Sequence, residues 1–180
     1  MVYLIRHAQS IYDPSIPEQE RSLSLEGKKQ AIDLIKKLTP LRIEKIYSSP
    51  AKRAIDTIAP FAQTVGLNIE LVPEFKECKM LPCKSFEEWY AIIKKSWDDF
   101  TFKPKNWESN LECQARICKK IDDLRMKHSD VNIAISSHGR VLSLLLNKID
   151  KNWGFDKWKD LPMPSIIKVC FKTGSIFRLC

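Results

Sequence analysis

Along the chain, segments whose hydrophobic positions are spaced as in a strand alternate with segments whose hydrophobic positions are spaced as in a helix. Residues 2–5 form an unbroken apolar run, which predicts a short buried strand. The repeat then changes, because Ala31, Leu34 and Leu38 recur at helical intervals and predict an amphipathic helix over residues 24–38. The same patterns predict strands at 43–47, 69–72 and 131–135, helices over 85–97, 109–127 and 141–146, and a closing hairpin over 165–179.

Local signals mark the ends of several of these helices. Ser49 followed by Pro50 predicts a helix that begins at Pro50, with Ser49 as its N-cap. Pro60 is expected to kink or end this helix early, because proline lacks the backbone N–H that the helix needs. Two further helix starts carry the capping-box spacing, Ser85-x-x-Glu88 and Ser109-x-x-Glu112.

Strands that alternate with helices predict an α/β fold. We expect a three-layer sandwich, with a mainly parallel central sheet flanked by helices. The chain has 180 residues, 44% of them hydrophobic, and no repeat or flexible linker interrupts it. One domain over residues 1–180 is therefore expected.

The charge is positive overall but evenly spread. Lys and Arg number 30 against 22 Asp and Glu, a net charge of +8 that favours anionic partners. The basic residues occur in scattered pairs that are typical of solvated helix faces, so we expect no nucleic acid partner. No signal peptide or apolar membrane span is recognisable, so we expect a cytoplasmic location without membrane contact. The sequence leaves the oligomeric state open.

The six cysteines are expected to be reduced thiols, because a disulfide framework is typical of small secreted chains. A zinc site is not expected either. Cys113 and Cys118 fall within a helical pattern, where five residues turn the chain by about 500° and place the two thiols on different faces.

Candidate chemistry follows the predicted strands. Arg6 and His7 end the first strand, Arg53 lies in the first turn after the second, and His138 with Gly139 ends the strand at 131–135. The carboxyl ends of parallel strands form one edge of a sheet, where such folds bind their ligands. An imidazole beside a permanent guanidinium suits attack on an anionic phosphoryl group.

The residues around these positions form four ordered motifs. They read LIRHAQS at residues 4–10, SSPAKRAIDT at 48–57, an acidic segment around Glu77, and ISSHG at 135–139. In order and spacing the chain resembles the histidine phosphatase (phosphoglycerate mutase-like) superfamily over nearly its whole length. The resemblance implies a phosphomonoesterase that needs neither a metal nor another cofactor.

The resemblance also implies a role for each site residue. His7 is expected to attack phosphorus and form a phosphohistidine, which water then hydrolyses. Arg6, Arg53 and His138 are expected to surround the phosphoryl oxygens, where charge develops in the transition state. Ser10 and Gly139 complete the expected phosphate site.

The leaving alkoxide needs a proton from a nearby acid. The resemblance places this acid in the loop after the third strand, where Glu77 is the closer match and Glu74 the alternative. A dianionic phosphate beside a carboxyl group favours its protonated form, which is the form that can donate.

The chain departs from the family pattern at three places. Ala8 stands where a glycine is usual, which is tolerable if its φ is negative. The first loop lacks the usual Asn, and we expect Asp13 in that loop to point away from the phosphate. Residues 78–83 replace a Gly- and Trp-rich segment, so the substrate pocket is expected to be atypical.

Several functions are compatible with these motifs. The helical segment at about 78–115 is expected to form a small cap insertion, with a loop at 101–107 able to close over a pocket, and this favours a small phosphorylated metabolite as substrate. The alternatives are a phosphoglycerate mutase-type phosphoryl transferase, a protein phosphohistidine phosphatase, or a phosphate-binding module without catalysis.

Overall fold

The computed structural model describes all 180 residues and shows a six-stranded sheet flanked by six helices. The strands are β1 (Val2–Arg6), β2 (Lys45–Ser48), β3 (Ile69–Leu71), β4 (Ile133–Ser137), β5 (Ser165–Cys170) and β6 (Ser175–Arg178). The helices are α1 (Leu25–Leu38), α2 (Lys52–Val65), α3 (Phe86–Asp98), α4 (Asn110–Lys127), α5 (Gly139–Ile149) and α6 (Phe155–Lys159). The predicted α/β class is confirmed.

The sheet has the order β3-β2-β4-β1-β5-β6. The first four strands along the chain are parallel, whereas β5 and β6 form the predicted antiparallel hairpin at one edge. In the register of the two central strands Arg6 lies beside Ser137, and the backbone N–H of His7 donates to the carbonyl of Ser137 at 2.9 Å. This register fixes the ends of β1 and β4 next to each other.

Helices cover both faces of the sheet. On one face α1 and α2 bury Leu34, Leu38, Ile58 and Phe61 against the strands, and on the other α4 and α5 bury a larger apolar cluster. Burying each such side chain contributes about 1.5–3 kcal/mol. Both layers hold the strand ends rigidly, which is what a preorganised site at that edge requires. No helix is long and apolar enough to cross a membrane.

The second helix differs from its prediction at both ends. It begins at Lys52 rather than Pro50, because the hydroxyl of Ser49 bonds the imidazole of His138 and the N-cap position falls to Ala51. It also continues through Pro60 to Val65. Its apolar face packs on the sheet both before and after the proline, and this packing outweighs the missing backbone hydrogen bond.

The expectation of six reduced thiols is wrong for one pair. Cys78, after β3, and Cys113, in the first turn of α4, form a disulfide with their Cα atoms 5.7 Å apart. The two residues are 35 positions apart in sequence. Local spacing gives no hint of this pair, because only the packing of α4 beneath the loop after β3 brings the sulfurs together. The other four cysteines are free.

Candidate active site

The side chains of His7, Arg53 and His138 meet at the carboxyl edge of the sheet. They come from the ends of β1 and β4 and from the first turn of α2, and all three are buried. Arg53 lies between the two rings: its Nε donates to His7 Nε2 at 3.1 Å, and its Nη2 is 2.9 Å from His138 Nδ1. The ring centroids are 5.3 Å apart. The sequence prediction that these residues come together is therefore matched by the geometry.

His7 is held in the form that a nucleophile needs. Its Nδ1 lies 2.8 Å from the carbonyl oxygen of Ala8, which can only accept, so Nδ1 carries the proton and the unprotonated Nε2 accepts from Arg53 Nε. Burial, together with the positive charges of Arg53 and Arg6, lowers the pKa of His7 from 6.5 to about 3. The ring is thus neutral at physiological pH, with Nε2 facing the cluster.

His138 is neutral for similar reasons. Complete burial and then the charge of Arg53 lower its pKa well below the ordinary value. Its Nε2 bonds the hydroxyl of Ser49 at 2.8 Å. A guanidinium can only donate, so Nδ1 accepts from Arg53, Nε2 carries the proton, and Nε2 donates to the hydroxyl of Ser49.

Arg6 reaches the same edge from the end of β1. Its Nη1 donates to the carbonyl of Leu161, while its buried Nε has no hydrogen-bond partner. Burial lowers its pKa, and the nearby charge of Glu77 opposes that change. A buried donor without an acceptor is costly in a folded protein, and a bound anion would satisfy it.

Gly139 explains how Arg6 fits. A Cβ atom at this position would lie 3.0 Å from the Cζ and Nε atoms of Arg6, closer than ordinary packing allows. Glycine therefore lets the start of α5 approach the guanidinium. Backbone N–H groups at a helix start favour anions, and those of Arg140 and Val141 bind the carboxylate of Glu77.

Glu77, rather than Glu74, lies at the site. Its Oε2 accepts from the backbone of Arg140 at 3.1 Å and its Oε1 from Val141 at 3.0 Å, so the start of α5 orients the carboxyl group. Glu74 lies in a short 3-10 turn, where its carbonyl accepts from Arg116. The geometry thus places Glu77 beside the start of α5, and its role as the acid stays a prediction.

The other first-loop expectations have mixed outcomes. Ala8 is fully buried and is not among the residues with positive φ, so its methyl group is accommodated. Asp13 turns towards its own loop, where it accepts from the backbone and hydroxyl of Ser15. Ser10 pairs through its backbone with Leu23 and makes no side-chain hydrogen bond to the cluster, so its phosphate role stays a prediction.

A polar cavity of about 460 Å³ lies beside Glu77. Only one of its ten lining residues is hydrophobic. The lining consists of Pro73, Lys76, Glu77, Lys79, Lys103, Asn106, Trp107, Glu108, Glu112 and Arg116. The loop at 101–107, expected to close over a pocket, supplies three of these residues. Two cations are already paired, Lys103 with Glu112 and Arg116 with Glu108.

Three side chains close to this cavity could ligate a metal by distance alone, but their ligand atoms are already bonded to other protein groups. Ligand atoms of Cys78, Glu108 and Cys113 lie within 4.8 Å of one another. The two sulfurs are joined in the disulfide, and both carboxylate oxygens of Glu108 accept from Arg116. The cluster therefore braces the loop after β3 against α4.

Three residues of the site are not predicted from the sequence. The sequence predicts Ser49 only as a helix cap, yet its hydroxyl orients His138. Thr57 accepts from the backbone of Ala8 at 2.9 Å and donates to the carbonyl of Arg53 at 2.7 Å, so it couples the nucleophile's strand to α2. Glu18 forms an ion pair with Arg53, and no local pattern in the first loop indicates it.

Solved structures of other proteins share the fold of this chain. A phosphoserine phosphatase from Entamoeba histolytica, in complex with phosphoserine, matches 99% of this chain and 94% of its own at a TM-score of 0.78 and 19% identity. A phosphoglycerate mutase from Bacillus anthracis matches 98% and 90% at 0.77 and 18%. At these identities the likeness concerns the fold, which is that of phosphoglycerate mutase-like proteins.

Sequence comparison identifies the family. The model of the histidine phosphatase superfamily (branch 1) matches residues 2–175, so the chain belongs to that superfamily. A phosphoserine phosphatase 1 from Hydrogenobacter thermophilus is 26% identical over 169 residues, 84% of this chain and 79% of the relative. By family the chain is accordingly a phosphatase, a phosphoric monoester hydrolase.

Proposed function

We propose that the protein hydrolyses its substrate through a phosphohistidine at His7. The single observation that carries this is a neutral, buried His7 whose Nε2 faces Arg53 and His138. Nε2 attacks phosphorus and the P–O bond to the leaving group breaks. Glu77 gives its proton to the departing oxygen. Water then attacks the phosphoryl group, Glu77 takes the proton from that water, and His7 leaves as the neutral ring.

Arg6, Arg53 and His138 stabilise the charge on the transferred phosphoryl group. Removing one preorganised donor of this kind typically lowers the rate about 100- to 1000-fold. Arginine suits the role because its planar fork binds two oxygens at once. The unpartnered Nε of Arg6 supports the assignment, since a phosphoryl oxygen would satisfy it.

The substrate that fits best has a polar leaving group. Glu77 must touch the leaving oxygen, and it also lines the polar cavity, so the rest of the leaving group extends into that cavity. Phosphoserine, the substrate in the name of the Hydrogenobacter thermophilus relative, has such a polar leaving group. A cavity of this size, with a cap segment at 78–115, favours a metabolite over a phosphorylated protein.

Rapid-quench trapping tests the mechanism. Wild-type protein mixed with a radiolabelled phosphate monoester is expected to carry acid-labile, alkali-stable label, which His7→Gln abolishes. His128→Gln is the matched control, because His128 bonds Tyr47 away from the cluster and its loss should leave the label intact. Label retained in His7→Gln would contradict the proposal.

The same preparation separates the alternatives. A mutase would return the phosphoryl group to an alcohol of the product, whereas a phosphatase releases inorganic phosphate; we expect release. Turnover should continue in excess chelator, and chelator-sensitive turnover would overturn the metal-free mechanism. No turnover above the His7→Gln background would favour the phosphate-binding module. The cytoplasmic location and the absence of a nucleic acid partner stay predictions.

A further inference from the structure

Glu18 occupies the hydrogen-bonding groups with which Arg53 would bind a phosphate. Arg53 Nη1 donates to the backbone carbonyl of Glu18 at 2.7 Å, and its Nη2 forms an ion pair with the Glu18 carboxylate. The third guanidinium nitrogen, Nε, donates to His7. Every nitrogen of the guanidinium is therefore already engaged within the protein.

The segment that carries Glu18 is an irregular loop anchored at its two ends. Its ends are pinned where Ser10 pairs with Leu23, and Ile11 donates to the carbonyl of Ser22 at 3.0 Å. Between these points, residues 11–22, here called the gate loop, contain no regular element except the 3-10 turn at Glu18–Glu20. The loop reaches the buried cluster chiefly through Glu18, whose side chain is 43% exposed.

A carboxylate and a phosphate compete for the same donors. Both present oxygens that a guanidinium fork binds, and two anions at one fork repel each other. The Glu18 carboxylate is therefore incompatible with a phosphoryl group seated on Arg53 Nη2. Substrate must displace it, and the carboxylate can in turn help to expel inorganic phosphate after hydrolysis.

We propose that Glu18 is an internal competitor for the phosphate site, carried on a gate loop that opens for substrate and closes as phosphate leaves. The idea rests on the proposed function only in taking Arg53 as a phosphate ligand. Its consequence has a definite sign: removing the carboxylate tightens phosphate binding. A residue that merely supported the fold would weaken binding when replaced.

Direct titration with inorganic phosphate tests this without requiring turnover. Glu18→Gln is expected to lower the Kd for phosphate about three- to tenfold, the range of a partly exposed ion pair at a buried partner. Product inhibition should strengthen by the same factor, and KM should fall more than kcat changes. Glu20→Gln is the matched control, because Glu20 lies on the same turn and forms no ion pair in the structure.

The outcomes separate the two proposals. If wild type and Glu20→Gln bind phosphate and Glu18→Gln binds it with an equal or larger Kd, the competitor role is overturned and the phosphate site stands. If wild type binds no phosphate, and neither Glu18→Gln nor Glu20→Gln does, the proposed phosphate site itself fails. Thermal melting of the three proteins shows that each is folded before titration.

Discussion

At the scale of single residues, burial keeps the ring of His7 neutral, as the proposed nucleophile requires. A free imidazole, with a pKa near 6.5, is partly protonated at neutral pH. The protonated ring has no electron pair with which to attack. Burial and two guanidinium groups lower the pKa of His7 to about 3, so the ring stays neutral throughout the physiological range. The same lowering of the His7 pKa makes the stability of the fold sensitive to acid.

The stability of the protein should therefore fall between pH 6.5 and pH 4. Over this window unfolded His7 binds a proton and the folded residue does not, so stability rises with pH by about 1.4 kcal/mol per unit for this one group. We expect about 3 kcal/mol to be lost from pH 7 to pH 4 on this account. Denaturant unfolding at several pH values measures it, with His7→Gln giving the shallower slope; parallel slopes would contradict the displaced pKa.

Glu77 supports a second prediction at this scale. Glu77→Gln keeps the shape but cannot donate a proton, so hydrolysis of alkyl phosphates should fall about 100- to 10,000-fold. Aryl phosphates with acidic leaving groups need little protonation and should lose much less. Glu74→Gln is the control and should affect both substrates alike and slightly. If Glu74→Gln shows the leaving-group dependence instead, the two roles are exchanged.

At the scale of elements, the position of Glu77 depends on a loop that is tied to α4. Residues 73–79, here called the acid loop, are tied to α4 by Arg116, which donates to the carbonyl of Lys76 at 3.1 Å, and by the Cys78–Cys113 disulfide. Glu77 immediately precedes the disulfide. The position of Glu77, the proposed proton donor, is thus set by α4, which contributes none of the proposed catalytic groups.

Removing the disulfide should destabilise the fold. The double variant Cys78→Ser/Cys113→Ser is expected to lose roughly 2–4 kcal/mol of unfolding free energy, because the crosslink constrains the unfolded chain. Reduction of the wild type by a dithiol should have the same effect once the bond is broken. Cys83→Ser/Cys118→Ser is the control, since both thiols are free. Equal unfolding midpoints for oxidised and reduced protein would show that the bond contributes nothing.

The elements also show which features local sequence determines. Helix α4 begins where its capping-box residue Ser109 predicts, because the capping partner Glu112 lies three residues away. The start of α2 was misplaced because the partner of Ser49 is His138, 89 positions away. Motif order brought His7, Arg53 and His138 together correctly through the resemblance to a known fold.

What the sequence could not reveal are contacts made by irregular segments. The disulfide joins a loop to a helix, and Glu18 reaches Arg53 from a loop without periodicity. Neither contact leaves a pattern of spacing, because its geometry depends on how whole elements pack. Both nevertheless affect the site: the disulfide fixes the loop next to Glu77, and Glu18 pairs with Arg53.

At the scale of the whole molecule, the net charge of +8 should draw anionic substrates to the site. Salt screens charges beyond about 10 Å at 0.1 M, so kcat/KM for a dianionic substrate should fall as ionic strength rises, with kcat little changed. Local cations at the site would give the same trend. The two contributions therefore need a variant that changes the total charge and leaves the site untouched.

Lys36 and Lys37 provide that variant. Both are exposed in the last turn of α1. The opposite end of this helix lies near the loops of the site, so the two lysines are far from it. Lys36→Glu/Lys37→Glu lowers the net charge by four, and at low ionic strength we expect kcat/KM to fall several-fold, with the difference from wild type vanishing near 0.5 M salt. Lys36→Arg/Lys37→Arg should match wild type throughout. If the charge-reversed protein keeps the wild-type kcat/KM at low salt, only the cations at the strand ends attract substrate, and the overall charge plays no part in capture.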